Sequence, residues 1–201
     1  MLVSNLLAPN WLDPEVDPNC LVEAIWPVNV ARNQLGELSL ASVQASTLAA
    51  EYGTPIFVVD EDHARNRAVQ IRSAFESALI SVGAKAKVYY AGKAFLCTEV
   101  VRWVSEAGLN VDVASGGELA VALAAGLDPA RIGLHGNNKS QAEIERAVDL
   151  GVGTIVIDSF VEIGRVADAA RRAGKTQRVR LRVNSGVHAH THSFLATAHE
   201  A

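Results

Sequence analysis

Lys93 stands among Tyr89, Tyr90, Ala91, Gly92, Ala94, Phe95 and Leu96. An ammonium enclosed by apolar groups loses hydration, which favours the neutral amine, a nucleophile that condenses with aldehydes. The competing reading is a lysine whose tip reaches water. A second cluster is His188-Ala189-His190-Thr191-His192. On a strand, alternate residues share a face, so His188, His190 and His192 could converge on a metal, with Asp112 and Asp158 as available carboxylates. A loop with structural hydrogen bonds would carry the same residues. Asp112 and Glu118 could position a base or hold a cofactor, and Glu118 also suits a helix cap. Arg182 sits in the apolar run Val179-Arg180-Leu181-Arg182-Val183, where a buried guanidinium needs a polar or anionic partner. Cys97 falls near a helix start, either as an activated thiol or as a small core residue.

These residues cluster at the ends of repeated elements. Short β-rich runs occur at 88–90, 111–113, 132–134, 154–157 and 179–183, the first four each followed by a helical pattern and then glycine. The spacing suits a strand plus a crossover helix, hence a parallel sheet. Ser115/Glu118, Ser140/Glu143 and Ser159/Glu162 all fit Ser-x-x-Glu, in which Ser accepts from the third helical N–H and Glu reaches back to the cap N–H. Gly108, Gly126, Gly151 and Gly174 mark where each helix stops. Upstream, Ile56-Phe57-Val58-Val59 reads as a strand. Ala64, Ala68, Ile71, Phe75 and Leu79 define a long amphipathic helix ending at Gly83. Residues 1–51 hold four of the six prolines and no sustained period, so they read as an irregular extension with a short helix over 42–51.

Two architectures fit βα repeats. A doubly wound open sheet usually carries a glycine-rich phosphate loop after its first strand. Ala91-Gly92-Lys93-Ala94 is no such loop, which favours a (β/α)8 barrel with catalytic groups at the strand C-termini. The chain of 201 residues supplies five repeat strands, so the expected fold is α/β, a partial (β/α)8 barrel. The expected division is 1–51, an N-terminal extension, and 52–201, a truncated barrel domain.

Composition narrows the class. Apolar residues make up 49% and charged residues 20%, enough for a packed core. A formal charge of −4 gives no pull towards nucleic acid or anionic membranes. Cys20 and Cys97 are too few for a disulfide framework. The first basic residue is Arg32, so no signal-peptide n-region is read, and no apolar run approaches the roughly 20 residues of a membrane span.

Four ordered segments add a resemblance. Tyr89-Tyr90-Ala91-Gly92-Lys93-Ala94, with Val100, Val101, Val104 and Gly108 behind it, resembles the coenzyme-lysine segment of the fold-type III amino-acid decarboxylases. Asp112–Leu119 and His135–Ser140 follow in that family's order. Residues 182–192 narrow the resemblance and are similar to the branch that decarboxylates meso-diaminopimelate. The resemblance runs from about Tyr52 to Glu200. It implies pyridoxal 5'-phosphate as cofactor, with Lys93 as the lysine that binds its aldehyde. It further implies that Asp112, Glu118 and Arg182 line the cofactor site, and that the three histidines belong to the segment after the fifth strand and not to a metal centre. The implied reaction is meso-2,6-diaminopimelate to L-lysine and CO2, in a cytoplasmic homodimer. Ser185 departs from the proline usual in the family. The family's phosphate loop, its ring-stacking histidine and its second, β-rich domain belong beyond Ala201, so the 201-residue chain is expected to be inactive alone. The rival readings are another fold-type III enzyme (an ornithine- or arginine-type decarboxylase or a racemase), a metal-dependent barrel hydrolase using the histidines, and a non-catalytic product.

Overall fold

A computed structural model describes residues 19–183 apart from Ala24. Two compact units meet in sequence between Ala64 and Arg65. The histidine cluster, and with it the metal reading, lies outside the described residues.

The first unit is less irregular than its prolines suggest. Strands β1 (Val30–Arg32), β2 (Leu38–Leu40) and β3 (Val43–Gln44) form an antiparallel sheet that leads into α1 (Ala45–Tyr52). The β1–β2 turn is built by Asn33, whose Oδ1 accepts the N–H groups of Leu35 and Glu37. Strands of two or three residues are too short to show a period, which is why the sheet is not legible in the sequence. The short helix over 42–51 is present, displaced to Ala45–Tyr52. Residues 56–59 are not a strand, contrary to expectation. All four are exposed, and among the described residues no strand pairs with them to satisfy their backbone groups. Asp60 then accepts the His63 N–H at 3.0 Å, at the start of α2 (Glu61–Ile80). That bond holds its carboxyl below the ordinary range. The helix is as long as its pattern predicts, but Ala68 alone is buried along it.

In the second unit β4 (Tyr89–Ala91), β5 (Asn110–Val113), β6 (Ile132–Leu134), β7 (Thr154–Ile157) and β8 (Val179–Leu181) are all parallel. They lie side by side in strict chain order. Helices α3 (Thr98–Glu106), α4 (Gly116–Ala124), α5 (Gln141–Leu150) and α6 (Phe160–Ala173) fill the crossovers. A doubly wound sheet would reverse its order at a switch point and carry helices on both faces. Here one core unites Val101, Leu119, Ile144 and Val166 of the four helices with Val111, Val113, Ile132, Leu134, Ile155 and Ile157 of the strands. The arrangement is therefore barrel-type, with one face of the sheet covered by helices. Among the described residues no helix is long and apolar enough to cross a membrane.

The helix starts share the Ser-x-x-Glu pattern but use it differently. Ser140 and Glu143 form the complete reciprocal box. Ser115 Oγ accepts the Glu118 N–H at 3.2 Å, yet the Glu118 carboxylate takes the N–H of Ala114 at 2.6 Å, not that of Ser115. Ser159 makes no cap bond, and Glu162 takes the Asp158 N–H at 2.8 Å. Both carboxylates thus bind one residue further upstream than a capping box requires. The glycines after each helix are where the sequence puts them, Gly151 and Gly174 at left-handed C-caps.

Candidate functional site

Alternation puts Val111, Val113, Ile132 and Leu134 against the helices, so Tyr89, Ala91, Asp112, Gly133 and Arg180 face the other side. At the C-terminal end of that face is a cavity of about 280 Å3 lined by Ala91, Lys93, Asp112–Ala114, His135–Asn137 and Arg182. Four of the five parallel strands contribute to it through their ends.

Lys93 occupies a 3-10 turn over Gly92–Ala94, directly after β4. Tyr90 Oη donates to the Phe95 carbonyl at 2.6 Å and pins the turn. Gly92 is buried, and a Cβ there would lie 2.8 Å from the Asp112 carbonyl oxygen, so only glycine lets the turn approach β5 this closely. Lys93 itself is exposed. The apolar flanks read from the sequence therefore do not enclose it among the described residues.

Asp112 is half-buried at the centre of the site. Its Oδ2 lies 3.2 Å from His135 Nε2, near enough to pair electrostatically but not aligned as a hydrogen bond. Its Oδ1 is buried and has no hydrogen-bond partner among the described residues. Burial pushes the carboxyl up, and the nearby His135, Arg180 and Lys93 oppose that shift without cancelling it. Gly133 makes the room: a Cβ there would lie 2.2 Å from Asp112 Oδ1. Arg180 stacks over Tyr89 at 5.6 Å from the ring centre.

Arg182 lies just past β8 and is exposed, not buried in an apolar strand as its flanks suggest. The partner it was expected to need is nonetheless present. Its Nη1 donates to both Asp158 oxygens at 3.2 and 3.3 Å, and the Asp158 side chain is only 11% exposed. Asp158, read from the sequence only as an available carboxylate, is thus held by the Arg182 guanidinium. Glu118 sits in the first turn of α4 with its carboxylate on the Ala114 N–H, so Ala114 and not Glu118 lines the cavity. Cys97 occupies the N-cap position of α3 without a side-chain cap bond, and both it and Trp103 further along that helix are half-buried against the core.

The sequence places His135–Asn138 at the C-terminal end of a strand run but gives His135 no role, and it does not single out the pair Lys139–Glu162. Lys139 Nζ is 3.0 Å from Glu162 Oε2, with both side chains almost fully buried. A signal for it exists. Glu162, Val166 and Ala169 are the buried residues of α6, so a carboxylate stands in that helix's apolar stripe.

A cavity with a lysine amine at a strand end, an unpartnered buried carboxylate oxygen and an anchored guanidinium suits a small, polar, aldehyde-bearing coenzyme. A family model described as the pyridoxal-binding domain of the pyridoxal-dependent decarboxylases matches residues 68–201. The chain belongs to this family. Among individual relatives it is 50% identical, over 192 residues, to the diaminopimelate decarboxylase of Mycobacterium leprae, a match that covers 96% of this chain and 39% of that protein. Among solved structures it is similar to the diaminopimelate decarboxylase of M. jannaschii in complex with L-lysine. The TM-score there is 0.71 at 27% identity, covering 79% of this chain and 36% of the other. The Helicobacter pylori enzyme with L-lysine gives 0.67 at 28% identity, covering 76% and 37%. The chain thus spans less than two fifths of the length of the decarboxylases it matches.

Proposed function

We propose that this chain is the coenzyme-lysine portion of a diaminopimelate decarboxylase, whose reaction takes meso-2,6-diaminopimelate to L-lysine and CO2. The observation that carries the reading is the 50% identity, over nearly the whole chain, to a relative of that name. The lysine complexes of two similar structures accord with lysine as product. Residues 52–201 would be the barrel domain and 1–51 its extension, in a cytoplasmic homodimer.

When bound, pyridoxal phosphate supplies the electron sink for the charge left as CO2 departs. The chain's own residues hold and orient. Lys93 would bind the coenzyme through its amine, on a turn fixed by Gly92 and by the Tyr90 bond. Asp112 Oδ1, free of protein partners among the described residues, is the acceptor open to a polar group of the coenzyme. Because burial raises its affinity for a proton, Asp112 can also hold one at Oδ2 beside His135 Nε2. Arg182, kept in place by Asp158, presents positive charge to an anionic group at the cavity edge. Glu118 would act from behind by fixing the Ala114 N–H at the cavity wall.

The test extends residues 1–201 to the length of the relatives and supplies meso-diaminopimelate, ornithine, arginine and lysine in turn. CO2 release from meso-diaminopimelate, with L-lysine as product, is expected. Preference for ornithine or arginine would overturn the substrate, and racemisation without CO2 would overturn the reaction.

A further inference from the structure

Lys139 and Glu162 are the two most deeply buried charges described, each 3% exposed. The Lys139 ammonium donates to the Gly136 carbonyl and to the Val156 carbonyl at 2.8 Å, and it pairs electrostatically with Glu162 Oε2 at 3.0 Å. Glu162 Oε2 in turn accepts the Asp158 N–H. Cohesion alone is a poor reason for such a pair, because apolar side chains of similar volume commonly serve the fold as well or better. Its connections suggest another role. Gly136, with φ +119°, sits between His135 and Asn137, and all three line the cavity. On the other side Asp158 grips Arg182, also a lining residue. One buried pair therefore ties the β6–α5 loop to the end of β7 and the start of α6, joining two walls of the same cavity.

We infer that Lys139 and Glu162 are positioning residues for the coenzyme site, setting the His135–Asn137 loop and the Asp158–Arg182 pair in register with Lys93. This rests on the coenzyme reading above. Lys139→Met alone leaves Glu162 an uncompensated buried charge. Combining Lys139→Met with Glu162→Gln removes both charges, while the introduced glutamine keeps an oxygen for the Asp158 N–H. The single and double variants thereby separate folding from positioning.

The experiment uses the chain extended to its relatives' length and reads three quantities: the melting temperature without coenzyme, the Kd for pyridoxal phosphate, and the His135 ring-proton signals without coenzyme. The single variant should lose melting temperature. The double variant should regain most of it, yet bind pyridoxal phosphate roughly tenfold or more weakly, with displaced His135 signals. Parental Kd and parental His135 signals in the double variant would overturn the inference and leave a merely structural pair. Should the double variant not fold, Lys139→Arg keeps the charge but changes the reach, and the same two readouts decide. A parent that takes up no coenzyme would defeat the functional reading instead, and the His135 signals alone would then judge the positioning role.

Discussion

Gly133→Ala tests whether the Asp112 carboxylate is where the site needs it. The added methyl would lie 2.2 Å from Asp112 Oδ1, against an ordinary contact of at least 3.4 Å, and 3.4 Å from Tyr89 Cε1. The backbone of β6 is held between two parallel neighbours, so the carboxylate must retreat by about 1 Å. Overpacking of this kind costs about 1–3 kcal/mol, towards the low end here because the side chain can swing into the cavity. A displacement of that size at a positioned group costs up to about 100-fold in function. Pyridoxal phosphate affinity should therefore fall far more than stability. Gly153→Ala is the counterpart. Its Cβ would lie 2.1 Å from the Ala130 carbonyl oxygen, backbone that cannot rotate away, and it is remote from the cavity lining. It should cost at least about 3 kcal/mol and lower Tm by roughly 2–4 °C for each of them, with little change in affinity once folded. Coenzyme titration beside a thermal melt reads both. A Gly133→Ala protein with parental affinity would refute the placement of Asp112 at the centre of the site.

Three further outcomes follow from the same geometry. Asp112 has a raised pKa, so its contribution to stability is present in acid and is lost as pH rises through the folded value; Asp112→Asn should raise the coenzyme-free Tm at neutral pH, with the gain shrinking towards acid. No gain at neutral pH would contradict the burial argument. Glu143 has a lowered pKa because it accepts from Ser140 N and Oγ and from Gly116 N; its support is present above the ordinary carboxylate range and is lost as pH falls through the folded value. Glu143→Ala should cost about 2–3 kcal/mol in a denaturant titration at neutral pH and much less in acid. Gly164, exposed on α6 with nothing near its Cβ position, should give about 0.5–1 kcal/mol of added stability as alanine, and a loss in the same titration would mean that this face is covered.

The second unit was legible because each level of the sequence agreed. Ile132–Leu134 and Thr154–Ile157 are fully buried runs between cap and glycine signals, and their boundaries match the strands found. The choice between open sheet and barrel was not legible from those runs, since it lies in the strand order, a long-range property. The three-stranded sheet over 30–44 was hidden by the shortness of its strands. Ile56–Val59 misled because an apolar run specifies a strand only where a neighbour can pair with it. Lys93, just after an apolar run, and Asp112, the polar residue within one, were among the sequence's candidates, and both line the cavity. Lys139 and Glu162 were not, because Ser159-x-x-Glu162 offered a sufficient local explanation and the competing partner lies on another loop. Arg182 shows the converse: its apolar neighbours suggested burial, but the two residues beside it, Leu181 and Val183, are themselves exposed and share its edge position.

The central claim is that the Lys93 amine carries the coenzyme. Borohydride reduction of the full-length protein loaded with pyridoxal phosphate, followed by peptide mapping, tests it directly. The stable tag should fall on the peptide containing Ala91-Gly92-Lys93-Ala94 and vanish in Lys93→Ala. A tag on another lysine, or a protein that binds the coenzyme tightly and yields none, would contradict the account.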